Sequence, residues 1–335
     1  MDTVYSTTQN KQPPTLRQLG QTDIMLSPIG LGTWQFSSGV GELGRYWPAL
    51  TDETTRDVVK TAIENGVNWF DTAEQYGNGV SEKNLSNALK SVGVASGAVK
   101  IADKWWPKNR KATSIIESIS ERLDCLQGYP IDLYQIHWPE SESWLRTEMK
   151  ALAQLVEEGK VKSVGLCNYN RRDIKRAHRF LRKRGIPLAS VQIHYNLAYR
   201  HSERHDVLKV AADLGMSVIA WSPLEQGLLS GKFHNNNNEE TLKCLKQERI
   251  KMFGLTSARL QETQPLIDAL ERIAVSHNAT PAQISLAWIT QYHGNLMLAI
   301  PGANSAEQSL SNSGSMYITL SQSELDELDA VSHKL

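Results

Sequence analysis

Short apolar runs recur along this chain, each followed by a helical segment, and no other feature restricts the fold as sharply. The runs are Pro28–Gly32, 67–71 (VNWFD), 99–104, 131–137, 161–167 (VKSVGLC), 190–194 (SVQIH), 216–221 (MSVIAW) and a late one at MLAIP. From the third to the seventh the interval is about 27–34 residues, the length of one βα unit, and such alternation predicts a parallel sheet. Eight units predict an α/β fold, a (β/α)8 TIM barrel. LRQLG and IMLSP flank Gln21-Thr22 as a hairpin plugging one barrel end.

Helices are expected from Asp52 as N-cap to Asn65, with Gly66 beyond the end, and from Ser81. Further helices are expected at a capping box Ser114–Glu117, then at 144–158, 171–184 and 204–214. The long gap before the eighth strand holds extra helices near 265–277 and 281–292, and a polar stretch including Asn235 to Asn238 reads as a loop over the barrel mouth. A capping box Ser321–Glu324 opens a last helix, 322–332. Residues 1–14, ending in Pro13-Pro14, read as a disordered tail, and 15–335 as a single domain.

Charge narrows the partners. With 36 basic and 36 acidic side chains the formal net charge is zero, so nothing electrostatic argues for nucleic acid, and a small-molecule function is favoured. Cys125, Cys167 and Cys244 are too few and too scattered for a disulfide framework or a metal site, which points to a reduced, cytoplasmic setting. No apolar run reaches the roughly 18 residues of a membrane span. The final His333-Lys334-Leu335 lacks the serine of a peroxisomal S-K-L signal.

Residues 39–44, GVGELG, satisfy the dinucleotide fingerprint G-x-G-x-x-G, but Arg45-Tyr46-Trp47-Pro48 follows where its helix should begin. Residues 37–50 therefore read as an irregular active-site loop. The chemistry lies elsewhere. Asp71 and Tyr76 in WFDTAEQYGNG, Lys104 in KIADKWW and His137 in LYQIHWP each close, or closely follow, a strand, so all four open onto the face where such barrels hold their active sites. Singly each has an ordinary reading as a turn cap, a solvated strand end, a core histidine or loop packing. Together they can lower a tyrosine's pKa and aim its proton at a carbonyl. Moving a phenol from about 10 toward 7 takes about 4 kcal/mol, much of which one close cation can supply.

Trp34, Trp47, Trp105, Trp106 and Trp138 fall near the same mouth and read as an aromatic substrate wall, suited to apolar or aromatic aldehydes and ketones. The 171–184 helix, RRDIKRAHRFLRKR, reads as an outer helix whose Ile174, Ala177 and Leu181 face the barrel beneath a solvated basic face.

From about residue 15 to 332 the chain resembles the aldo-keto reductases. The resemblance rests on the ordered series GLGTW, DTAEQYGNGVSE, the Lys104 and His137 strand ends, GLCNYN, VQIHYNL, AWSPLEQGLLSGK and IPGANSAEQSLSN. It implies carbonyl reduction with a nicotinamide cofactor bound across the barrel mouth, NADP(H) foremost and NAD(H) as the alternative. Tyr76 would then be the general acid, Lys104 would lower its pKa, Asp71 would pair with Lys104 and His137 would orient the carbonyl oxygen. Asn168 and Gln192 would hold the carboxamide, and Trp221 would stack on the nicotinamide. Ser222, Pro223, Leu224, Gly227, Leu229 and Lys232 match the segment that wraps the pyrophosphate. Gly302, Asn304, Ser305, Gln308 and Asn312 match the adenosine end, and Gly32, Thr33 and Trp34 close the first strand beside the cofactor. Cys167 replaces the serine usual before the asparagine, Asn304 stands where many relatives carry lysine or arginine, and Ser311 stands where an acid often meets adenine. The family also includes potassium-channel β subunits, so the resemblance leaves open a cofactor-sensing regulatory subunit. A polyol or inositol dehydrogenase working oxidatively is the third reading.

Overall fold

The computed structural model describes residues 13–234, 242 and 247–335. Most of the expected tail and the stretch Asn235 to Asn238 lie outside the described residues. A hairpin of β1 (Arg17–Gln18) and β2 (Met25–Leu26) precedes eight parallel strands. These are β3 (Leu31–Gly32), β4 (Trp69–Asp71), β5 (Lys100–Trp105), β6 (Ile131–Ile136), β7 (Val161–Cys167), β8 (Leu188–His194), β9 (Ser217–Trp221) and β10 (Met297–Ala299). They pair in chain order, and parallel bridges Ile29↔Ala299 and Gly32↔Gly302 join the first to the last.

Side chains alternate between the barrel interior and the helices, as the pleat requires. Trp69, Ala102, Leu133, Ile219 and Leu298 fill the interior with Leu19, Ile24 and Leu26 of the hairpin region. Phe70, Ile101, Trp105, Ile136 and Val218 face the helices. Both faces are dry, which is why these strands read as nearly unbroken apolar runs. Gly30 is needed where it stands, because a Cβ there would lie 2.3 Å from the Trp69 indole, whose Nε1 donates to the Ser27 carbonyl at 2.9 Å.

Several expected boundaries shift for identifiable reasons. Helix Asp52–Glu64 is capped by Thr51, whose hydroxyl accepts from Thr54 N, so Asp52 sits in the first turn instead. The Ser114 box does not form: Ser114 lies inside helix Thr113–Glu117, and its hydroxyl accepts from Trp105 Nε1 and Arg110 Nε. The expected 204–214 helix is two pieces, His201–Arg204 and Val207–Asp213, broken by Asp206 in the left-handed region. The helix expected near 265 starts at Ser257 under a Thr256 cap and carries Pro265 inside, on an exposed face. Residues 37–50 are less irregular than expected, because Gly41–Gly44 forms a single helical turn. The Ser321–Glu324 box forms as expected.

Candidate active site

Strand parity decides which polar groups meet. Ala102 and Lys104 point inward on β5, so Asp103 and Trp105 point outward, and on β4 Asp71 shares the inward side with Trp69. Lys104 is completely buried, its ammonium 2.5 Å from Asp71 Oδ1 and 2.7 Å from the Thr72 carbonyl. Gln192 Nε2 donates to the other Asp71 oxygen at 2.8 Å. Both carboxylate oxygens are thus held from strands on opposite sides of the barrel.

Tyr76 lies above this pair, the Lys104 ammonium 5.0 Å from its ring centre. His137 meets the Tyr76 ring edge-on at 5.6 Å, and Trp34 stacks on it at 6.2 Å. Burial alone would depress the Lys104 ammonium, but the Asp71 carboxylate and the Tyr76 phenol outweigh it and hold Lys104 above its ordinary value. Burial, with help from Lys104, pushes His137 well below its usual range, so its imidazole is neutral. Among the described residues no hydrogen bond reaches that ring, and its Nδ1 is buried without a partner.

For Tyr76 the structure reverses the expected direction. Burial raises the phenol to about 12; Lys104 opposes this by charge and hydrogen bonding, and the Asp71 charge partly cancels Lys104. One cation already neutralised by its own carboxylate cannot offset the loss of solvent.

A cavity of about 670 Å³ opens above these groups. Asp71, Tyr76 and His137 line it, with Lys104 beneath its floor. Of the proposed cofactor positions Gly32, Thr33, Trp34, Asn168, Gln192, Trp221, Ser222, Pro223, Leu224, Gly227, Lys232, Gly302, Asn304, Gln308 and Asn312 line it too. Two do not. Leu229 is buried in the core, and Ser305 caps helix Ala306–Gly314 by accepting from Gln308 N. Of the tryptophans Trp34, Trp47, Trp106 and Trp138 form the wall, whereas Trp105 turns into the helix-facing core. The sequence reading missed Gln226, Arg249, Met252 and Phe253. The last three come from helix Gln247–Phe253, where the i, i+4 spacing of Arg249 and Phe253 was the available signal.

The far wall has the shape and donors of a nucleotide cradle. One face of Trp221 packs on His194 (4.2 Å, 15°), which packs in turn on Tyr199 (4.0 Å, 15°). His194 Nε2 is 2.7 Å from Glu225 Oε2. Asn168, at φ 63°, donates to the His137 carbonyl and accepts from Trp221 Nε1 at 3.0 Å. Glu225, Gln226 and Gly227 are all left-handed, and a Cβ on Gly227 would fall 2.8 Å from Lys232 Nζ. Asn304 Oδ1 is buried without a partner. A flat indole, a cation over glycine backbone and an unused amide oxygen suit an aromatic ring, a pyrophosphate and a nucleoside respectively.

The profile of the aldo/keto reductase family matches residues 28–333. The chain belongs to that family. It is similar to an uncharacterized oxidoreductase of Mycobacterium tuberculosis, 37% identical over 311 residues that cover 90% of this chain and 88% of that protein. It is 28% identical to the chloroplastic pyridoxal reductase of Arabidopsis thaliana, with 91% and 83% of the two chains covered. Among solved structures, a thermostable aldo-keto reductase in complex with the inhibitor epalrestat superposes with a TM-score of 0.74 at 29% identity, covering 94% of this chain and 99% of that one. The glycerol dehydrogenase of Gluconobacter oxydans shares the fold, with a TM-score of 0.80 at 22% identity, covering 95% and 94%. This aldo-keto reductase is therefore an NAD(P)H-dependent oxidoreductase. Among the described residues no helix is long and apolar enough to cross a membrane, and no cluster is placed to hold a metal ion.

Proposed function

We propose that this aldo-keto reductase uses NADPH to reduce aldehydes or ketones, with Tyr76 as the general acid. The observation that carries this is the buried Lys104–Asp71 pair directly beneath the Tyr76 ring. A nicotinamide held by Asn168, Gln192 and Trp221 would, when bound, supply the hydride. At neutral pH the Tyr76 phenol is protonated, as a donor must be, and it passes its proton to the carbonyl oxygen. The phenolate that results faces the Lys104 ammonium, which Asp71 keeps charged and in place. Neutral His137 has a ring N–H free to bind the same oxygen, and Trp34, Trp106 and Trp138 exclude water around it. An aromatic wall favours aromatic carbonyl compounds, in keeping with a pyridoxal reductase among the relatives. The buried free thiols of Cys125 and Cys167 support a reduced, cytoplasmic setting. A panel of carbonyl compounds and alcohols run with both cofactors tests the proposal; tight cofactor binding without steady turnover of any of them overturns it.

Two expected results concern the cofactor. If Trp221 offers its cavity-facing side to the nicotinamide, cofactor binding quenches intrinsic fluorescence, and Trp221→Ala weakens binding by about 0.5–1.5 kcal/mol beyond lost area. Unchanged affinity in a titration would return Trp221 to a packing role.

At the adenosine end the helix Ala306–Gly314 points its N-terminus toward the cavity, but its donors are partly spent. Asn304 N donates to Gln308 Oε1 at 2.9 Å, and Gln308 N donates to Ser305 Oγ. A 2′-phosphate there competes with these bonds and meets no side-chain cation at Asn304, so the preference for NADPH should be modest. Asn304→Arg should sharpen NADPH over NADH by about tenfold, or about 1.4 kcal/mol. An unchanged ratio of the two dissociation constants would move the 2′-phosphate elsewhere.

A further inference from the structure

On the outward side of β5, behind the Tyr76 loop, lies a buried group of acids that the mechanism leaves unused. Glu82 and Asp103 are both 0% exposed, and neither lines the cavity. Glu82 belongs to helix Val80–Ser91, which continues from the Tyr76 loop, and Asp103 precedes Lys104 on β5. The cation beside them is Arg122 of helix Ile119–Cys125. Its Nη1 lies 2.7 Å from Glu82 Oε2, its Nη2 2.5 Å from the exposed Glu121, and its Nε 3.9 Å from Glu74 Oε2. Glu74 has a second cation in Arg110 at 2.5 Å, and its Oε1 also accepts from Trp106 N. One guanidinium therefore faces both ends of the loop that carries Tyr76, at Glu74 and at Glu82.

The charges here do not balance. Glu74, Glu82 and Asp103 are all buried, and Arg110 and Arg122 are the cations that pair within the group. Among the described residues Asp103 forms no ion pair, since the Lys104 ammonium turns inward to Asp71. Asp103 Oδ1 accepts from Lys104 N at 2.8 Å, while its Oδ2 is buried without a partner. Glu82 Oε1 is buried without a partner too, and the two carboxyl groups stand within hydrogen-bonding reach of each other. Two carboxylates in contact in a dry site cannot both ionise, and one proton between them satisfies both idle oxygens. Burial and then the Asp103 charge push the Glu82 carboxyl far above its ordinary value, and burial raises Asp103 against the opposing Arg122. Of the other groups facing the pair, Glu74 adds repulsion, while burial keeps Cys125 and Tyr134, the register neighbour of Asp103, protonated.

We propose that Glu82 and Asp103 share one proton, and that this acid–carboxylate pair ties the Tyr76 loop to the Lys104 strand, making both of them positioning residues for carbonyl reduction. The positioning role rests on the carbonyl-reductase reading above; the shared proton does not. Infrared difference spectra at neutral pH test the proton directly. One carboxylic-acid C=O band of the wild type should be missing from both Glu82→Gln and Asp103→Asn, because either amide supplies the hydrogen bond without the proton. Loss of carboxylate bands alone in both variants overturns the shared proton, and so does an acid band that survives in either. The pH dependence of stability has a definite sign. A carboxyl raised in the folded state contributes stability below its unfolded value and loses it as pH rises through the folded one, so the urea midpoint of Glu82→Gln should gain on that of the wild type with rising pH. A gap that stays constant with pH overturns the proposal. Positioning is read from Asp103→Ala, which strands no charge because Glu82 can then ionise against Arg122. Its kcat for carbonyl reduction should fall by about 10–100-fold, a loss within reach of a small misplacement of Tyr76 against Lys104. Asp103→Asn should keep most of the wild-type kcat, and the dissociation constant of NADPH should be unchanged in both. Equal kcat in the alanine and asparagine variants overturns the positioning role, as does a loss confined to cofactor affinity. If Asp103→Ala does not fold, the two amide variants decide through the band and the stability gap. A wild type that turns over no carbonyl compound overturns the reductase reading and the positioning role together, and the band alone then decides the shared proton.

Discussion

Replacing Tyr76 by phenylalanine should lower kcat for carbonyl reduction by about 10²–10⁴-fold, the usual loss when a general acid is removed. Cofactor affinity should change little, because the ring that stacks on Trp34 is retained and only the hydroxyl is lost. Retention of more than about a tenth of wild-type kcat, against that expectation, would remove Tyr76 from the acid role. The pH dependence is a separate check with a definite sign. Burial places the phenol at about 12 in the free protein, so its ionisation leaves kcat/KM for reduction flat through the neutral range and lowers it only in strong alkali. Alcohol oxidation needs the phenolate and should rise with pH over the same interval. A descending limb near neutrality in the reductive direction, with chemistry rate-limiting, would show that Lys104 outweighs burial after all.

Lys104→Met should cost both turnover and stability. Among the described residues the substitution removes the only cation paired with Asp71, leaving a carboxylate that is 1% exposed and held by the Gln192 side chain. Breaking a buried ion pair from one side typically costs about 3–5 kcal/mol, because the remaining charge has no compensation. The phenolate formed at Tyr76 would also lose the ammonium facing it, so kcat for reduction falls. The double substitution Asp71→Asn with Lys104→Met separates the two effects. It removes the stranded charge, so the urea midpoint should recover toward wild type while kcat stays low. A single mutant as stable as wild type, or a double mutant no more stable than the single, would show that the pair does not carry the charge balance of the barrel floor.

Much of the architecture was legible before any coordinates. Strands buried on both faces must be apolar throughout, and units of one strand and one helix must repeat at the length of that unit, so the eight runs declared themselves. Their tips could be placed at one end because all parallel strands point the same way. Trp105 was misplaced although its signal was present: on β5 it stands one residue from Lys104, and a pleated strand cannot send both into the barrel. Ser114 had the spacing of a capping box, yet its hydroxyl is taken by Trp105 and Arg110, partners that no local pattern reveals. A helix was expected from near 265, and it instead begins at Ser257 and runs through Pro265, whose exposed position lets solvent take up the freed carbonyl.

Residue types and their order along the strands determined the barrel and the polar set at its mouth, since both depend on periodicity and on which strand ends carry which side chains. The balance of charges was decided only by the tertiary structure. Whether Tyr76 is raised or lowered depends on how much water it loses against how far Lys104 is already neutralised by Asp71, and these are distances and exposures rather than spacings. The same holds for Arg249. It comes from helix Gln247–Phe253, far along the chain from Trp47, and only the packing of its guanidinium over the Trp47 ring makes it a buried cation facing the cavity. Local pattern sets which face a side chain takes, but solvation and long-range pairing set what that side chain does there.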